Sequence, residues 1–201
     1  MYKIEVTSYR DTAEEEIAHL QAELMPAQVG IDVRHPPQWG PFATIELAVP
    51  ALVVIAFAQT FLAALVGELA KDTYEWLKQR LGHFGRQVIS RERIEPTLYG
   101  RHGPITRENP YSLALSLEAE AGHGARFRLY LPRYEAAFGY EAAIGSFVDF
   151  VRDYHAGRVT LADLGLDEEE PLYGNLIMVC YDEPARKLVW LDPIPPGVRR
   201  P

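Results

Sequence analysis

Between Glu46 and Glu68 the chain carries twenty-one residues without a charge, LAVPALVVIAFAQTFLAALVG. No other feature constrains the fold as much. A membrane-spanning helix needs about 20 mostly apolar residues, and an isolated core segment is usually shorter. Two architectures meet the constraint. One is a helix across a bilayer. The other is a segment apolar on all sides, lodged at the centre of a core.

Details within the run favour the core. Ile45, Leu47 and Val49 alternate with Thr44, Glu46 and Ala48, which is the period of a half-buried strand. Pro50 then suits the first turn of a helix. If the strand ends there, seventeen apolar residues remain from Ala51 to Gly67, at the lower edge of spanning length, and Gln59 interrupts them. The expectation is a long apolar helix over about 51–81. Its first part is buried by the protein's own strands or by a partner subunit. Its second part is amphipathic, with Leu69, Tyr74, Leu77 and Leu81 opposite Lys71, Asp72, Glu75 and Lys78. Gly82 and Gly85 read as its stops. The competing reading is a membrane-associated protein anchored by residues 47–67. It places the following positive segment on the cytoplasmic side and requires residues 1–46, which read as folded, to be translocated.

Upstream, Tyr2, Ile4 and Val6 alternate with Lys3, Glu5 and Thr7, giving a first strand. Thr12-Ala13-Glu14-Glu15 reads as a capping box that opens a helix striped by Ile17, Leu20 and Leu24. Val29, Ile31 and Val33 give a second strand. A fourth strand is expected around Gln87–Ile94, ended by Pro96. The order strand, helix, strand, strand, helix, strand is that of a ferredoxin-like βαββαβ unit.

Residues 100–110 read as a loop or linker. Beyond it, Leu113, Leu115 and Leu117 alternate with polar and small residues, as do Phe127, Leu129 and Leu131, and Gly122-His123-Gly124 lies between them as a hairpin turn. Ile144, Phe147, Val148 and Val151 mark a helix near 139–156. Leu176–Tyr181 and Lys187–Leu191 flank a second turn. The fold class expected is therefore α+β, with a ferredoxin-like βαββαβ half over 1–99 and a ββαββ half over 111–195, as two units or one continuous domain.

Net charge is −8, unevenly spread. Residues 1–46 hold three bases against eight acids, net −5. Residues 78–107 hold Lys78, Arg80, Arg86, Arg91, Arg93, Arg101 and Arg107 against Glu92 and Glu95, net +5. One positive segment in an acidic chain marks a face for acidic partners. On the expected fourth strand Arg91 and Arg93 share a face, and the following loop adds Arg101 and His102. These four residues are the candidate site for an anionic partner. Nucleic acid is a poor fit, because the chain is acidic, has four lysines and shows no nucleic-acid module.

Chemical motifs are missing from the sequence. It contains no GxSxG, Walker A, GxGxxG or HExxH pattern. The six histidines, His19, His35, His83, His102, His123 and His155, form no close ligand pair. Cys180 is the single cysteine and lies in the apolar stretch LIMVC, the setting of an inert thiol. No cofactor or metal is implied, and no small-molecule ligand is indicated. The chain opens MYKIEVTSYR, which lacks the basic start and apolar segment of a signal peptide. Together these features predict a cytoplasmic protein that binds another protein or itself without chemistry of its own, with an enzyme of unrecognised type as the third class beside the membrane-associated reading.

Overall fold

The computed structural model describes residues 2–9, 13–36, 51–57, 59–67, 71–91, 99–100, 103–104, 110–167 and 175–192. The uncharged run is not one helix. Val53–Phe57 is a strand, β3, and Gln59–Gly67 is a separate nine-residue helix, α2. The division follows side-chain shape. Val53, Val54 and Ile55 are β-branched and stiff at χ1, which favours a pleated strand. FLAALV, richer in unbranched helix formers, turns helical. A second helix, α3, runs from Lys71 to Ser90. The expected single helix over about 51–81 is thus a strand and two helices. The strand expected at Ile45–Val49 falls outside the described residues. No helix among the described residues is long and apolar enough to cross a membrane.

Before this region, β1 (Tyr2–Ser8), α1 (Glu14–Leu24) and β2 (Val29–Arg34) lie where the patterns put them. The N-cap of α1 is Ala13, without a side-chain cap bond, and Thr12 lies outside the described residues. After α3 come two short bridged strands, β4 (Tyr99–Gly100) and β5 (Gly103–Pro104). Then follow β6 (Tyr111–Gly122), β7 (Ala125–Pro132), α4 (Tyr140–His155), β8 (Leu176–Asp182) and β9 (Lys187–Trp190). This last group is the ββαββ order expected. Its first turn has positive φ at both His123 and Gly124, as mirror-image two-residue hairpin turns require.

Seven strands form one mixed sheet in the order β2-β1-β3-β6-β7-β8-β9. The pairs β1–β2, β3–β6 and β7–β8 are parallel, and β1–β3, β6–β7 and β8–β9 are antiparallel. In a split βαβ arrangement, a third strand separates the two parallel strands of each unit. Here the parallel strands joined through α1, through α2 and α3, and through α4 are immediate neighbours.

One apolar row runs across the sheet: Val6 pairs with Ile55, Ile55 with Leu117, Leu117 with Leu129 and Leu129 with Val179. All five are fully buried. The helices cover this face. Phe57 stacks on Phe61 of α2 at 5.3 Å and meets Phe147 of α4 at 6.4 Å. Phe127 takes Phe150 and Tyr154 of α4 edge-on at 5.2 and 4.9 Å. With the helices on one face, the strand directions forbid one hand for all three crossovers. The β7–α4–β8 connection has the hand opposite to the other two, although such crossovers overwhelmingly share one hand.

Gly82 and Gly85 do not stop α3. They lie inside it, where it crosses α4. A Cβ on Gly82 would come within 3.1 Å of the Glu141 Cα, and one on Gly85 would run into Ile144 Cδ1 and come within 3.1 Å of Leu115 Cδ2. Each glycine weakens the helix by about 1 kcal/mol relative to alanine, and the close helix approach offsets that cost. Ile144 and Leu115 are fully buried, so shifting either side chain disturbs the packing around it. Gly85→Val should therefore lower stability by about 1–3 kcal/mol or more in urea titration. Gly67→Ala, where a Cβ meets nothing within 4 Å, should change it by less than about 1 kcal/mol. Equal effects would show that Gly85 is not at a tight crossing.

Candidate functional site

Arg91 follows the end of α3 and is not on a strand, since helix extends through the first half of the strand expected at Gln87–Ile94. The reason is local: Val88 and Ile89 continue the buried stripe of Leu77, Leu81 and Phe84 at helical spacing. Arg91 is about half exposed. Its Nη2 lies 3.2 Å from Glu15 Oε2, and its Nε lies 2.5 Å from Glu16 Oε1. Neither Glu16 oxygen receives a hydrogen bond among the described residues, so Nε stands off the bond axis. Charge, without a directed bond, holds this buried carboxylate. Arg93, Arg101 and His102, the other residues of the expected site, lie outside the described residues.

All four bases of the positive segment that lie among the described residues pair within the fold. Lys78 Nζ is 2.7 Å from Asp149 Oδ2 on α4, and Arg80 Nη1 is 2.6 Å from Glu23 Oε1 on α1. Arg86 Nη1 is 3.2 Å from Glu141 Oε1 on α4, and Arg91 is the fourth. The positive charge of α3 therefore serves to hold α1 on one side and α4 on the other. Asp149 is shared further. Tyr74 Oη donates to its Oδ1 at 2.5 Å, and Arg152 lies over the Tyr74 ring at 4.5 Å. Burial, and then this hydrogen bond, push the Tyr74 phenol far above its ordinary range.

A second cluster lies on the sheet face away from the helices. Glu5, Ala56, Glu118, Arg128 and Met178 are register partners in one row, and Thr7, Val54, Ser116, Tyr130 and Cys180 form the next. Glu118 and Arg128 are both buried. Arg128 Nε donates to Glu118 Oε1 at 2.7 Å, with Nη2 2.6 Å from the same oxygen. Arg126 Nη1 donates to Oε2 at 3.3 Å, and Arg128 Nη1 to Tyr130 Oη at 3.4 Å. Burial raises the Tyr130 phenol, and Arg128 partly opposes the rise. Burial also raises the Cys180 thiol, against the effect of its hydrogen bond with Tyr111. Ser116 Oγ is buried with no hydrogen-bond partner among the described residues. Beside the cluster, Glu5, Ala56, Glu118, Glu120 and Arg126 line an open groove of about 330 Å³.

Sequence reasoning did not single out Glu118, Arg128 or Tyr130. Their signal was alternation on both strands of the hairpin, which puts the three on one face once the register is known. Among the described residues no group of three potential metal ligands converges. His155 Nε2 is 2.7 Å from the Glu120 carbonyl and so carries the proton that it donates there. His19 and His83 face Glu23 and Gln87 respectively. No protein-family model, curated protein or solved structure matches this chain.

The buried pair sets one expectation. Glu118→Ala leaves the Arg128 guanidinium buried without its main partner and should cost about 3–5 kcal/mol in urea titration. The double change Glu118→Leu with Arg128→Met should cost far less, because it removes both charges together. A single mutant as stable as the double would mean that the pair is solvated.

Alkaline pH supplies another. Burial raises Tyr74, Tyr111, Tyr130 and Tyr140 above the ordinary phenol value of ~10. Above that pH the unfolded chain releases phenolic protons that the folded chain keeps. The contribution of these groups is thus complete below about pH 10 and declines as pH rises further. Cys180, raised likewise, begins the same loss near its ordinary ~8.5. The urea midpoint should fall steeply above pH 10, with the tyrosinate absorbance of these four of the eleven tyrosines appearing only as the protein unfolds. Ionisation of all eleven in the folded state near pH 10 would contradict this.

Proposed function

We propose that the protein acts by binding another protein, and that it contributes contact and charge with no chemistry of its own. The observation that carries the reading is the position of Arg91. It stands half exposed at the end of a packed helix and opens the stretch that includes Arg93, Arg101 and His102. Its pair with Glu15 is open to solvent, since Glu15 is 85% exposed. An exposed pair of this kind contributes little to stability, so an incoming carboxylate can compete for the guanidinium. The directions of the titration shifts support the same reading. A thiol and phenols pushed upward are poorer nucleophiles and bases at neutral pH, whereas catalytic groups are tuned toward it.

The partner's matching surface is acidic. A second copy of the chain offers one, because residues 1–46 carry a net charge of −5. Self-association through the basic stretch of one copy and the acidic N-terminal part of another is the simplest form of the proposal. Opposed charges of this kind raise association rate more than affinity and are weakened by salt.

Light scattering on the full chain at micromolar concentration tests this form. The expected result is a dimer or larger species at low salt that shifts toward monomer as salt is raised. Arg91→Ala, Arg93→Ala and Arg101→Ala together should yield a folded monomer. A wild-type monomer at low salt would overturn self-association. A triple variant that stays folded and still associates would show that these arginines are not the contact; a lower melting point by itself reports the loss of the Arg91 contact to buried Glu16.

A further inference from the structure

We draw no further inference here: the strongest candidate, the groove between the first turn of α1 and the end of α3 lined by Glu15, Glu16, His19, Gln87, Ser90 and Arg91, is an acidic cluster whose buried carboxylate already lies in ion contact with Arg91, and no second observation at it points to a ligand.

Discussion

Burial of Val53–Phe57 between β1 and β6 is the contact on which the rest of the structure depends. β3 is antiparallel to β1 and parallel to β6, so it alone joins the first strands to the last ones in one sheet. It can hold that place because almost nothing on it needs water. Val53, Ile55 and Phe57 point into the helical layer, and Val54 is buried on the opposite face. A strand covered on both faces reads as a continuous apolar run with no alternation. Each such side chain contributes about 1.5–3 kcal/mol when fully buried, enough to fix the strand at the centre.

The helical layer is organised around α3. Its apolar stripe of Tyr74, Leu77, Leu81, Phe84 and Val88 faces the sheet, and its bases reach sideways to Glu23 and Glu15 on α1 and to Asp149 and Glu141 on α4. Glycines at the α4 crossing let the backbones approach, and the paired charges then fix how the helices are turned. Most of these pairs are partly exposed, so they contribute specificity of arrangement more than stability. Among the described residues the bases of the positive segment therefore act as a packing device.

The Glu118–Arg128 pair depends on an irregularity. Gly122 pairs with Ala125 across the turn, which, continued without interruption, would set Glu118 opposite Leu129. A register shift between Glu120 and Gly122 instead brings Glu118 opposite Arg128 and Leu117 opposite Leu129. A one-residue slip moves every side chain to the other face, so this bulge is what sorts leucines to the core and charges to the far side. Turn chemistry alone does not contain it.

Elements with clean periodicity were legible in the chain: β1, α1, β2, the two C-terminal hairpins and α4 follow from alternation, helical spacing and glycine turns, because those signals are local. The apolar run misled for a physical reason. A buried strand and a buried helical segment are equally apolar, so hydropathy left the conformation of the run open, with only the β-branched cluster of Val53, Val54 and Ile55 as a hint, and it did not show that Ala63, Val66 and Gly67 of α2 are exposed. Gly82 and Gly85 looked like stops because a glycine weakens any isolated helix; only the presence of Ile144 and the Glu141 backbone explains why they lie within one. Likewise the composition registered a positive segment but not its partners, since Glu15, Glu23, Glu141 and Asp149 lie far from α3 in sequence and meet it through the stacking of helices on one face of the sheet. Strand order, the opposite hand of the last crossover and the bulge that pairs Glu118 with Arg128 are long-range choices, settled by which packing buries the most apolar surface while leaving each buried charge a partner.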